Sequence, residues 1–146
     1  MVIPRTEGVK GIVLHNTANY KMSAQELYDY LANECKTSQG THYICDHENV
    51  LQVAPDDWAI YSSGKGNDYC ARHLIAIEIC DNLNDDLYKQ GQDKAIELIK
   101  ELKEKYHLSN DDIFFHNDFN STMYCPHILL DKYKSARNFC IEELEE

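Results

Sequence analysis

Residues 11–15 read Gly-Ile-Val-Leu-His and residues 73–80 read His-Leu-Ile-Ala-Ile-Glu-Ile-Cys. Both runs are short, almost wholly apolar and rich in β-branched side chains, which is how a strand buried on both faces reads. Each also carries one residue that a core strand does not require: His15 at the end of the first, and Glu78 inside the second.

Helical patterns separate and follow these strands. Ser23 and Glu26 form a capping box, and Leu27, Tyr30 and Leu31 keep helical spacing up to about Cys35. Two β-rich runs, 41–45 and 50–53, flank the turn-forming residues 46–49 and predict a hairpin. Beyond Pro55 lies the longest irregular stretch, with Trp58, Gly64, Gly66 and Asn67. Ala95, Ile96, Leu98, Ile99 and Leu102 mark a helix over 92–106. Residues 109–112 can cap one more helical turn, residues 113–115 form a short strand delivering His116, and a last helix runs from about residue 130 or 133 to 143. Alternating strands and helices predict an α/β fold: a single domain with a central mixed β-sheet flanked by helices.

The 146 residues suit one domain with one substantial core, and no repeat or linker divides them. A net charge of −11 argues against a nucleic-acid partner, because phosphate binding needs a clustered basic surface. No stretch reaches the roughly 18 apolar residues that span a bilayer, so no membrane partner is expected, and the N-terminus lacks the apolar core of a signal peptide. Six cysteines with irregular spacing read as reduced thiols, most of them buried.

His15, His116 and Cys125 are the chemically conspicuous trio. Two imidazoles and a thiolate suit Zn²⁺, and three protein ligands leave one tetrahedral position for water, as in catalytic sites. Their wide separation differs from the closely paired ligands of a zinc finger. The alternative is three ordinary buried residues. Glu78 alternates with Ile77 and Ile79, so it faces the opposite side of its strand, either as a base beside the metal or as a solvated edge residue. Asp118 reads as the cap of a turn, and His127, after Pro126, as a cleft residue at a helix start. His42 and Tyr43 occupy the hairpin beside the expected cleft, and Trp58 and Tyr61 offer an aromatic wall for a sugar or a surface lid. His47, His73 and His107 read as solvated.

Four segments together resemble the type 2 N-acetylmuramoyl-L-alanine amidases, the family of phage endolysins, bacterial autolysins and peptidoglycan recognition proteins. They are GIVLHNTA, GTHYICDHENVLQVAP, AIEICDN and FFHNDFNSTMYCPH, in that order along nearly the whole chain. The resemblance implies one Zn²⁺ held by His15, His116 and Cys125, with Glu78 assisting the metal water. The reaction it implies is hydrolysis of the amide between N-acetylmuramic acid and L-alanine in peptidoglycan, by a single catalytic domain over 1–146 with no wall-binding domain inside it. The chain departs from the family at Met123, where many relatives carry Lys or Thr, and the loop is one residue longer. Thr122 can bulge into that position as the oxyanion donor, with His127 as the other candidate. Thr41 stands where some relatives have Tyr, and Tyr61 where a His is common.

Two other readings stay open: a peptidoglycan-binding module without turnover, and a thiol hydrolase using Cys125 with His116 or His127. The expected setting is an endolysin, made in the cytoplasm as a monomer and acting on the wall after release, or a cytoplasmic muropeptide-recycling enzyme.

Overall fold

The computed structural model describes residues 4–5, 8–33, 40–62 and 68–145. Five strands form one sheet in the order β3-β2-β4-β1-β5: β1 Gly11–Asn16, β2 Tyr43–Cys45, β3 Val50–Gln52, β4 Leu74–Ile79 and β5 Ile113–Phe115. β4 runs parallel to both β1 and β2, β5 parallel to β1, and β3 antiparallel to β2. The sheet is therefore mixed, as the sequence predicts. The hairpin turn is tied by Asp46, whose Oδ1 accepts from the amides of Glu48 (2.9 Å) and Asn49 (2.7 Å).

Alternation along the strands sorts side chains onto two faces. Ile12, Leu14, Ile75, Ile77, Ile79, Ile113 and Phe115 point to one face, in the main core. That face is covered by α3 (Asp85–Tyr106), α4 (His127–Tyr133) and α5 (Ala136–Glu143). The opposite face carries Val13, Leu74 and Ala76 under Cys70 of α2 (Asp68–His73), and Ile44 and Cys80 under Ala24 of α1 (Ala24–Asn33). Gly11 lies on this second face in a crowded spot. A Cβ there would sit 2.5 Å from the Asp112 carbonyl oxygen and 2.8 Å from a Leu74 methyl.

The capping box opening α1 forms: Glu26 N donates to Ser23 Oγ at 3.1 Å and Ser23 N to Glu26 Oε1 at 3.2 Å. Its expected end near Cys35, and Gly64, Gly66 and Asn67, lie outside the described residues.

Three boundaries differ from the sequence reading. Residues 68–73 form α2, too short and too polar on its outer side to show a period, so β4 begins at Leu74 and not at His73. His73 is buried, not solvated. The helix expected from residue 92 starts at Asp85, because Asn84 caps it by accepting from Leu87 N at 3.1 Å and two acids occupy its first turn. The expected last helix is two helices: Lys134 adopts φ 74, and Ser135 restarts the chain by accepting from Asn138 N at 3.1 Å. Among the described residues no helix is long and apolar enough to cross a membrane.

Candidate metal centre

Strand register assembles the centre. His15 pairs laterally with Glu78 across β1 and β4, and Leu14 with Phe115 across β1 and β5, which brings His116, the residue after β5, alongside His15. The imidazoles of His15 and His116 stand 4.6 Å apart between ring centroids. The residues gather at the carboxyl ends of parallel strands, where open α/β sheets hold their sites. Cys125 arrives from the loop before α4, and its carbonyl accepts from Asn117 N at 2.9 Å, tying that loop to the turn that carries His116.

Ligand atoms of His15, His116 and Cys125 all lie within 4.8 Å of one another. The Cys125 Sγ to His15 Nδ1 separation is 3.7 Å. A tetrahedral zinc with ordinary Zn–N and Zn–S bonds has an N···S edge of about 3.5 Å, so this pair needs almost no movement to share an ion. Burial adds a second argument. His15 Nε2, both nitrogens of His116 and Glu78 Oε2 are buried with no hydrogen-bond partner, an arrangement that is costly unless something else satisfies it.

The electrostatics of the protein alone run against charge. Burial, reinforced by the neighbouring His116, lowers His15 to about 3, and burial also lowers His116. Burial, with Asp81 adding, raises Glu78 to about 8. Burial likewise pushes Cys125 up to about 12, with Glu78 and Asp81 adding to it. Neutral imidazoles are ready ligands, while the thiol and the carboxyl need a nearby cation to ionise, so the donor set fits a divalent metal.

The other residues singled out in the sequence lie in different surroundings. Asp118 caps its turn, accepting from Phe115 N at 2.8 Å. His42 is fully buried and committed: Nδ1 accepts from Ala76 N at 3.0 Å, and Nε2 lies 2.8 Å from the Trp58 carbonyl and 2.6 Å from Arg5 Nη2. It has no surface to offer a substrate, which corrects the expectation of a binding role. Tyr43 is corrected too. It belongs to the core on the far face, where its hydroxyl donates to Asp56 Oδ1 at 2.6 Å. Trp58 bridges to Pro4 and gives its carbonyl to Arg5 Nε at 3.0 Å, and Tyr61 is half-buried. Thr122 is exposed, its hydroxyl donating to Asn120 Oδ1 at 2.6 Å. His127, the first residue of α4, has Nε2 2.6 Å from Asp81 Oδ2.

Two residues escaped the sequence reading. Asn16 is buried directly after His15: its Oδ1 accepts from Ile128 N (2.9 Å) and Leu129 N (3.4 Å) at the start of α4, and its Nδ2 donates to Tyr88 Oη at 3.1 Å. Asp81, two residues past β4, anchors both His127 and the amide of Ala18 (3.1 Å). The only sequence signal for either is a short polar residue at a strand end.

A family profile described as N-acetylmuramoyl-L-alanine amidase matches residues 5–128, a span that contains the whole centre. The chain belongs to this amidase family. This amidase-family chain is 31% identical over 123 residues to N-acetylmuramoyl-L-alanine amidase CwlA of Bacillus subtilis (strain 168), covering 83% of the chain and 44% of CwlA. It is 32% identical over 128 residues to XlyA of the same organism, covering 86% of the chain and 42% of XlyA. The chain thus spans less than half the length of either relative. The solved catalytic domain of XlyA superposes with a TM-score of 0.79 at 29% identity, over 93% of this chain and 89% of that one. The structure of PlyL superposes with a TM-score of 0.81 at 22% identity, over 95% and 86%, a likeness of fold.

Proposed function

We propose that the chain is the catalytic domain of a zinc-dependent N-acetylmuramoyl-L-alanine amidase. Its reaction is hydrolysis of the amide between the lactyl group of N-acetylmuramic acid and L-alanine. The observation that carries this reading is the convergence of His15, His116 and Cys125 donor atoms within 4.8 Å, with Glu78 in lateral register beside His15.

His15, His116 and Cys125 would hold the ion. Bound there, Zn²⁺ supplies Lewis acidity toward the amide carbonyl and makes water acidic enough to be a nucleophile near neutral pH. Glu78 handles the proton. Its Oε2 takes one from the attacking water as the new C–O bond forms, and returns it to the L-alanine nitrogen as the C–N bond breaks. A cation beside Glu78 offsets the burial that raises its pKa, and so favours the carboxylate this role requires. Thr122 is the proposed donor to the oxyanion, and to serve it must turn its hydroxyl away from Asn120. His127, held by Asp81, and Trp58 and Tyr61 are proposed to border the substrate.

The thiol-hydrolase alternative needs a ready thiolate, whereas burial and two carboxylates push Cys125 up to about 12. A binding module without turnover has no use for all three donors and the acid together. The substrate is peptidoglycan, the active form a monomer, and the action follows release from the cytoplasm. The test is digestion of purified peptidoglycan: new L-alanine amino termini without new reducing sugars, lost on chelation and restored by Zn²⁺. Digestion that continues without metal overturns the reading.

A further inference from the structure

Of the three candidate ligands, Cys125 alone is not delivered by a strand. The residues before it, 121–124, are exposed. Two ties on its other sides seat it: its carbonyl accepts from Asn117 N at 2.9 Å, and α4 follows directly. That helix opens on Pro126, which makes no side-chain capping bond. First-turn amides are ordinarily satisfied by a Ser, Thr, Asp or Asn at the cap. Here they find their acceptor on β1, where Asn16 Oδ1 takes Ile128 N at 2.9 Å and Leu129 N at 3.4 Å. Asn16 is buried and follows His15 in the chain. Its Nδ2 donates to the Ile79 carbonyl at 3.3 Å, next to Glu78, and to Tyr88 Oη at 3.1 Å. One side chain thus joins the strand of His15, the strand of Glu78 and the helix after Cys125.

We infer that Asn16 is a positioning residue for the metal: by capping α4 from β1 it holds the Cys125 thiol beside His15, an inference that rests on the metal-dependent reading of the site. The thiol lies against the very residues that supply a ligand and the cap. Its Sγ stands 3.7 Å from His15 Nδ1 and 3.8 Å from the Asn16 carbonyl oxygen. Only Pro126 and His127 separate Cys125 from the capped amide of Ile128, so a shift in the first turn of α4 is passed to the thiol. A seven-residue helix holds its first turn poorly once the cap is gone. Losing Asn16 therefore loosens the sulfur ligand first, whereas His15 and His116 are carried by paired strands and stay. Groups that orient ligands without touching the ion typically change metal affinity by about 10–100-fold.

The test uses two metal probes on the chelated and reloaded chain: Co²⁺, whose near-ultraviolet thiolate band reports the Cys125 ligand, and Zn²⁺ in competition with a chromophoric chelator. Asn16→Ala is expected to weaken the thiolate band and to lower Zn²⁺ affinity about 10–100-fold. Ser135→Ala removes the cap of α5, a bond to Asn138 N, and so destabilises the fold without touching α4. It is expected to leave band and affinity as in the parent. A parental band and affinity in Asn16→Ala, or the same losses in Ser135→Ala, overturns the positioning role. If Asn16→Ala does not fold, Asn16→Asp decides, because it keeps an oxygen for the α4 amides: a parental band supports the cap and a lost band overturns it. A parent that binds both ions with this dependence on Asn16, yet frees no L-alanine termini from peptidoglycan, refutes the hydrolase reading and leaves the positioning role standing. A parent without a thiolate band refutes the metal centre and the inference with it.

Discussion

Replacing Asn16 by Ala removes a side chain that joins the ligand strand to the helix after Cys125. Its Oδ1 accepts from Ile128 N, and its Nδ2 donates to Tyr88 Oη. The Ile79 carbonyl, which Nδ2 also meets at 3.3 Å, keeps Thr17 N at 3.2 Å, and the 3.4 Å bond to Leu129 is long. The part-buried Ile128 N–H and the buried Tyr88 hydroxyl therefore lose their partner. At ~1–3 kcal/mol for each group left unsatisfied, the variant should lose about 3 kcal/mol. Urea unfolding followed by circular dichroism, with chelator present so that metal linkage adds nothing, measures this directly. A double-mutant cycle sharpens it: Tyr88→Phe should cost about 1 kcal/mol in the parent and should stabilise the Asn16→Ala background, where it removes a hydroxyl already orphaned. A loss under about 1 kcal/mol for Asn16→Ala, or an equal cost of Tyr88→Phe in both backgrounds, refutes the reasoning.

Glu78→Gln keeps the shape and removes the base, so hydrolysis should fall by ~10²–10⁴-fold while bound zinc, measured by atomic absorption, stays stoichiometric. Unchanged turnover removes Glu78 from the mechanism. A pH effect should come from His42, lowered to about 4 by burial and by the Arg5 charge. The folded protein keeps it neutral while the unfolded chain protonates it near 6.5, so its contribution is complete above pH 6.5 and is lost as the pH falls toward 4, by about 3 kcal/mol. His42→Asn, whose Oδ1 can still accept from Ala76 N, should flatten the stability profile over that window by this amount, and an unaltered profile contradicts the assignment.

How far the sequence led differs from residue to residue. Apolar runs fixed β1, β4 and β5 within a residue or two, because a strand buried on both faces has to be apolar throughout. The candidate metal trio was legible because only a few side chains ligate, and Glu78 because an acid between isoleucines is costly unless it faces the other way. Helix boundaries at Asp85 and Lys134 were not legible, since polar caps and one left-handed residue set them and hydrophobic period does not.

His42 shows the limit most clearly. Its place in a hairpin beside the cleft is a fact of chain order, yet its imidazole is enclosed by Arg5, Trp58 and Ala76, which lie at distant positions in the chain. Asn16 and Asp81 are the converse, short polar residues whose partners, Tyr88 and Ile128 for one and Ala18 and His127 for the other, are remote from them in the chain. The sequence by itself determined the strands, the alternation of faces and the chemical identity of the donors, because those follow from local pattern and side-chain chemistry. Only the tertiary structure decided which polar side chains meet, because register between strands remote in the chain sets that, as it set His15 beside Glu78.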